Sequence, residues 1–401
     1  MKIAIIGGGA AGFFLGAQLT PPFSVHIFEK ASTPLQKVKI SGGGRCNVTH
    51  ACFDPNILVD FYPRGKRELR SVFERFQPGD TMAWFEEKGV PLKIQDDMRV
   101  FPVSDNSQDI VACLINENLK NENQIHLNEA VKSVAQKNKG FQIITNRAEY
   151  DFDKVVFAPG SSKQVWKIIE NFGHSIVPPV SSLFTFNCKD DRIQGLQGIS
   201  FQNVEVKILD SNLENFGDLL ITHWGFSGPA VLVLSSVGAR ELYEKKYHFN
   251  IQINFIDNSL EDALEILFQN KKENASQQIG KFAPFGLTRR FWQSTLEHLD
   301  VNIKSSWNEI SDKKLRILSS ELTQAKFQIQ GKSTFKDEFV TAGGIELKEV
   351  NFKNMESKII PGVYFAGEVL NIDAVTGGFN FQACWSESYI ISEDMKKINQ
   401  N

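Results

Sequence analysis

The chain has 401 residues, which at roughly 150 residues per domain predicts two or three domains and excludes a small disulfide scaffold. Hydrophobic residues make up 42% and charged residues 23%, the proportions of a folded globular protein, so global disorder is excluded. Lys and Arg total 44 against 47 Asp and Glu, a formal net charge of -3, so no whole-chain basic field holds phosphates; a small-molecule substrate is expected and no nucleic-acid partner, with a local basic patch left open.

Lys2 to Ile6 (KIAII) reads as a buried parallel strand, Ala10 to Leu19 as a helix stopped by Thr20, Pro21 and Pro22, and Phe23 to Phe28 as a second strand. This crossover implies a parallel sheet. Lys2 ahead of an apolar run superficially resembles a signal peptide, but Gly7, Gly8, Gly9, Gly12 and Gly16 interrupt it and no A-x-A site follows. No uncharged run of membrane-spanning length appears, and the five cysteines are odd in number, without CxxC or zinc spacing. A cytoplasmic protein with reduced thiols, no membrane partner and no metal site is expected.

Gly7-x-Gly9-x-x-Gly12 lies between that strand and that helix. The first glycine permits the tight turn, the second a close approach of a pyrophosphate, and the third close helix-sheet packing. Glu29 closes the second strand, where a carboxylate accepts ribose hydroxyls and repels a 2′-phosphate, so the AMP half of FAD or NAD is expected there and not NADP. Next comes Lys39-Ile40-Ser41-Gly42-Gly43-Gly44-Arg45-Cys46-Asn47, whose glycines expose backbone N–H groups to an anion or let the chain pass close to a flavin ring. A flexible loop is the alternative.

Asn56 to Glu87 carries helical patterning and Val103 to Asn118 suggests another helix. Asn128 to Phe157 reads as a small β-meander leading into a strand that ends at Ala158, Pro159 and Gly160. From about Cys188 the pattern changes to period two, at Val204, Val206, Ile208 and again at Phe249 to Phe255, followed by helical segments at Leu260 to Lys272, Leu287 to Leu299 and Lys313 to Leu322. The expected fold is α/β: a discontinuous Rossmann-like FAD-binding domain (1–187 and 336–401) with a meander, and an inserted β-rich domain (188–335) carrying a helical subdomain. Near the C-terminus Val363 to Phe365 run into Gly367 and Glu368. Gly377, Gly378 and Asn380 open a closing helix whose positive end suits the N1/C2 side of reduced flavin. A second anchor this distant from the first distinguishes FAD from NAD.

Taken together, GGGAAG at 7 to 12, FEK at 28 to 30, KxxxSGGGRCNVT around 37 to 49, THWGFSGPAVL at 222 to 232, TAGGI at 341 to 345, MESK at 355 to 358, and GVYFAGE with TGGFNFQ at 362 to 382 resemble the BaiN-type, or aminoacetone-oxidase-like, NAD(P)/FAD-dependent oxidoreductases. The resemblance spans essentially the whole chain. It implies FAD contacts at Ala11, Glu29, Lys30, Lys39, Ser41, Gly42, Asn47 and Val131, and through the region that holds Glu368, Asp373, Gly378, Phe379 and Asn380, beside Gly160 and Gly367. The chain departs from the usual pattern at His50, Asn371 and Ala374.

Catalytic residues are not assigned by the sequence; His223, beside Trp224, and Arg45 are the candidates. Cys46 and Cys52 are spaced C-x5-C, unlike a flavin disulfide reductase pair, and Cys46 reads as a packing or flavin-adjacent thiol without redox turnover. No second strand-GxGxxG-helix unit is present. Three readings follow: a reductase taking hydride from transiently bound NADH or NADPH to an enone-like acceptor, an amine oxidase releasing peroxide, and a flavin-binding redox sensor or RNA-associated module.

Overall fold

The computed structural model describes residues 1–333 and 340–400, so the domain boundary expected at 335/336 lies outside the described residues. Within them the chain forms two compact units, one of 1–180 with 340–400 and one of 181–333.

The first unit is built on five parallel strands, β1 (Lys2–Ile6), β2 (Ser24–Phe28), β3 (Gln124–His126), β4 (Lys154–Phe157) and β5 (Val363–Phe365), arranged β5-β4-β1-β2-β3 with two short strands beyond β5. Ile3, Ala4 and Ile5 have no exposed surface, the signature of a strand covered on both faces. Helix α1 (Ala10–Gln18) connects β1 to β2. The carbonyls toward its C-terminal end lack i+4 donors and are met by buried amides, Asn121 Nδ2 donating to Ala17 O and Asn123 Nδ2 to Gly16 O at 3.0 and 2.8 Å, while Asn118 Nδ2 adds a bond to Phe13 O within the helix at 2.8 Å. The meander forms as expected, with Val131–Gln136, Phe141–Thr145 and Glu149–Phe152 pairing antiparallel.

The segment expected to be helical over 56–87 divides into Pro55–Leu58, Lys66–Phe73 and Pro78–Glu87. Proline cannot continue a helix at Pro63, Gly65 takes φ +90°, and Pro78 begins the last piece at a position where its missing N–H costs nothing. The closing helix α2 (Phe379–Gln400) is buried along most of its first half. Its polar groups are paired there: Gln382 Oε1 accepts from the hydroxyls of Thr49 and Thr81, and Ser388 Oγ donates to Ala11 O.

In the second unit, seven strands form an antiparallel sheet whose central members are His248–Asn254, Ser200–Ile208 and Glu214–Ile221. Helices Pro229–Val237, Ala239–Glu244, Leu260–Glu273, Arg289–His298 and Asp312–Thr323 accompany the sheet. The phenylalanine excess is partly accounted for here. Phe184, Phe186, Phe201, Phe226, Phe249, Phe255, Phe291 and Phe327 all lie in its core, where a ring without a polar handle is most easily buried. Among the described residues no helix is long and apolar enough to cross a membrane.

Candidate functional site

In open α/β sheets ligands bind beyond the carboxyl ends of the strands. In the first unit those ends carry Gly7 after β1, Glu29 after β2, Gly160 after β4 and Gly367 after β5. Gly7 has φ +120°, and a Cβ there would lie 2.2 Å from Ala158 O. A Cβ on Gly12 would lie 2.1 Å from Gly7 O, whereas one on Gly9 would meet nothing within 4 Å. Thus Gly12 seats α1 against the turn, and open space lies over Gly9. The N-terminus of α1 has no side-chain cap and no acidic residue in its first turn, so its free N–H groups and partial positive charge are available to an anion.

Glu29 is fixed by two backbone donors: Gly8 N–H to Oε2 at 2.9 Å and Ala31 N–H to Oε1 at 2.8 Å. An ionised carboxylate accepts about four hydrogen bonds, which leaves room for ribose hydroxyls. Glu29→Ala is expected to weaken FAD binding by about 1.5–3 kcal/mol, measured by titrating FAD into the apoprotein. Lys30 and Lys39 have exposed side chains, and Val131 is buried at the start of the meander.

At the other end of the site, Gly367 has φ +79°, and a Cβ there would lie 3.4 Å from Ala11 Cβ and 3.3 Å from Cys384 Sγ. Lys37 Nζ lies 2.6 Å from Glu368 Oε2, and a Gly160 Cβ would lie 3.6 Å from the same oxygen. Ala11, Gly160, Gly367 and Glu368 are therefore one cluster. A second surrounds the start of α2. Gly378, at φ +90°, is so close to Thr49 and Asn47 that a Cβ would lie 2.7 Å from the Thr49 carbonyl and 2.8 Å from Asn47 Oδ1. Asn380 exchanges two hydrogen bonds with the Ala374 backbone, and Phe379 stacks on Phe61 and His50 at 4.3 and 4.6 Å. Asp373, fully buried, pairs with Arg64, whose Nη2 is 2.5 Å from Oδ2.

Ser41, Gly42 and Gly43 leave helical geometry within Gln36–Gly44. Arg45 lies over the Phe101 ring at 4.2 Å and 3.8 Å from Asp105. His223 belongs to the second unit, exposed beside Trp224. Cys46 is fully buried and its thiol is pushed up to about 12 by burial, which suits packing and opposes nucleophilic use. The residues fit FAD. Asn47 Oδ1 and His50 Nδ1 are buried without a partner, beside glycines at which a side chain has no room.

In the sequence Lys37 stands only as the first residue of a motif and His50 only as a departure from the family pattern, and no motif holds Arg64 or Glu387, yet the structure sets all four beside the candidate site. Glu387 is completely buried on α2. Its Oε2 accepts from Gly367 N–H at 2.5 Å, and its Oε1 has no partner. Its signal was a carboxylate within the apolar stripe Ala383, Ile390, Ile391. Burial pushes its carboxyl up to about 8, opposed by the Gly367 N–H. Because this value exceeds the ordinary 4.5, the native chain keeps a proton that the unfolded chain releases between those pH values. Glu387 is therefore expected to contribute a fall in stability as pH rises through that window, on the order of 5 kcal/mol, and Glu387→Gln to remove that contribution. Urea unfolding at a series of pH values measures it.

A family model described as the HI0933-like protein Rossmann domain matches residues 1–394. The chain belongs to the HI0933-like family. It is an FAD-dependent oxidoreductase. The chain is 30% identical over 404 residues to a ribosomal RNA dihydrouridine synthase of Escherichia coli, covering 98% of this chain and 97% of that protein. It is 25% identical over 407 residues to a 3-dehydro-bile acid delta(4,6)-reductase of Clostridium scindens, covering 97% of each. Among solved structures, a Rhodococcus jostii 3-ketosteroid-delta4-(5alpha)-dehydrogenase shares the fold at a TM-score of 0.51 and 12% identity, covering 98% of this chain and 96% of that one.

Proposed function

We propose that this HI0933-like protein reduces a carbon–carbon double bond conjugated to a carbonyl, with NADH or NADPH as hydride source and the uracil ring of ribosomal RNA as acceptor. The observation that carries the reading is a chemical one. Relatives matched over nearly the whole chain are named for two substrates, uridine and a delta(4,6) bile acid, and both reductions saturate a double bond conjugated to a carbonyl. The acceptor gains a hydride at the carbon β to the carbonyl and a proton at the α carbon, while the nicotinamide donor is oxidised. Uracil is favoured over a small enone because two relatives, at 30% and 28% identity, carry the RNA name. A net charge of -3 bears on the whole-chain field and leaves local contacts with RNA open.

FAD, when bound, supplies the two-electron carrier. The remaining work falls to the chain. In this reading Gly7, Gly9 and Gly12 with the α1 N-terminus hold the pyrophosphate, and Glu29 orients the ribose. Glu368, held by Lys37, anchors the ribityl side. The α2 N-terminus at Gly378 favours negative charge on the reduced ring.

The test supplies the purified flavoprotein and NADH or NADPH to ribosomal RNA from a strain lacking this gene, followed by digestion to nucleosides and mass spectrometry. Dihydrouridine is expected with at least one donor. Its absence, with a small conjugated enone reduced under the same conditions, would replace RNA by a small acceptor.

A further inference from the structure

The helical part of the second unit carries a group of exposed cations without carboxylate partners among the described residues. Between Glu273 and Glu297 the sequence contains no carboxylate but has Lys281, Arg289 and Arg290. Hydrogen bonds bring these together with a fourth. Gly280 O accepts from Gln293 Nε2 at 2.8 Å, and Ile279 O accepts from Trp292 Nε1 at 2.8 Å, so Lys281 follows directly on a residue held by the Arg289–His298 helix. Arg289 lies one turn before Gln293, on the same face. Gly280 N–H donates to Ile303 O at 3.0 Å, which places Lys304 next to the same point.

All four cations are exposed. None of them forms an ion pair among the described residues, although cations elsewhere in the chain commonly do. Arg290 is held by a backbone carbonyl, Nη2 to Gln197 O at 2.8 Å. The nearest following carboxylates form no ion pair with them: Glu297 and Asp300 lie at and beyond the C-terminal end of the helix, and Glu309 accepts from Ser306 N–H at 2.8 Å. Among the cations sits Phe282, 64% exposed, an apolar ring for which the fold supplies no cover.

We propose that Lys281, Phe282, Arg289, Arg290 and Lys304 form a contact surface for single-stranded RNA, the cations meeting phosphates and the Phe282 ring stacking on a base. The proposal rests on the reading of RNA as substrate and adds where the chain grips it. Unpaired cations supply sequence-independent attraction, and an exposed ring stacks on any base. The two contributions respond differently to salt, and this difference is the readout.

Binding of a fluorescein-labelled oligouridylate to the flavin-loaded protein is measured by anisotropy over a range of KCl concentrations. The triple variant Lys281→Ala/Arg289→Ala/Lys304→Ala is expected to bind at least tenfold more weakly at low salt. Its plot of log affinity against log salt is expected to flatten by about 0.7 per cation removed, or about 2 in all. Phe282→Ser is expected to weaken binding by at least about fivefold with the slope unchanged. A control double variant, Lys139→Ala/Lys326→Ala, at exposed sites elsewhere, keeps wild-type affinity. Flavin content and circular dichroism verify that each variant is folded. Wild-type binding that none of the variants alters would overturn the surface and leave the RNA reading standing; a wild-type protein with no affinity for the oligomer at low salt would overturn both.

Discussion

Gly12→Ala is expected to purify without flavin. The added methyl carbon would lie 2.1 Å from Gly7 O and 3.1 Å from Ile5 Cγ2, and the first of these is backbone, unable to rotate away. Helix α1 must therefore move off the β1 turn, and both sides of the pyrophosphate site move with it. Overpacking of this kind destabilises by about 1–3 kcal/mol, and the larger effect is expected on the ligand, whose phosphates the proposed site sets against the N–H groups of the displaced turn. A matched variant separates the two. Gly9 takes φ -93° and a Cβ there meets nothing within 4 Å, so Gly9→Ala is expected to leave thermal stability nearly unchanged yet fill the space assigned to the pyrophosphate. Visible spectra of the two purified proteins, with their thermal unfolding curves, provide the comparison.

The second large effect is expected from the ion pair that secures the segment before α2. Asp373 is fully buried and faces Arg64 through two hydrogen bonds, and the two residues also form an isolated backbone bridge. Breaking a buried pair leaves one charge without compensation, at a cost of about 3–5 kcal/mol. Asp373→Asn keeps the volume and is expected to lose that amount in urea unfolding. Because Ala374 and Asn380 are bonded across Gly377 and Gly378, FAD affinity is expected to fall as well. A variant with wild-type unfolding and wild-type affinity would show that the pair contributes nothing to the site.

The parts of this fold visible in the sequence are those fixed by local rules. The β1-α1-β2 unit announces itself because apolar runs, glycines and prolines fall at the positions where strand, turn and helix change, and Glu29 is placed by its distance from Gly12. The helical portion of Gln36–Gly44 was hidden by its own glycine run, since the helix breaks at Ser41 and the next two residues take positive φ. Pro229–Val237 was noticed only as part of a motif, because PAVLVLSSV lacks the polar alternation that marks a helix face. The pairs Lys37–Glu368 and Arg64–Asp373 join residues more than 300 positions apart, and no local pattern specifies them. Glu387 broke an apolar stripe, a signal that burial alone makes meaningful.

Anaerobic half-reactions test hydride delivery to a conjugated double bond. The flavoprotein is first bleached with NADH or NADPH in the absence of oxygen, then mixed with a uridine-containing ribosomal RNA transcript while its visible spectrum is followed. The oxidised spectrum is expected to return on mixing, and the RNA to gain two hydrogens at a uridine. A spectrum that stays bleached with the transcript and with small conjugated enones alike, and returns only on admitting oxygen with release of peroxide, would contradict it.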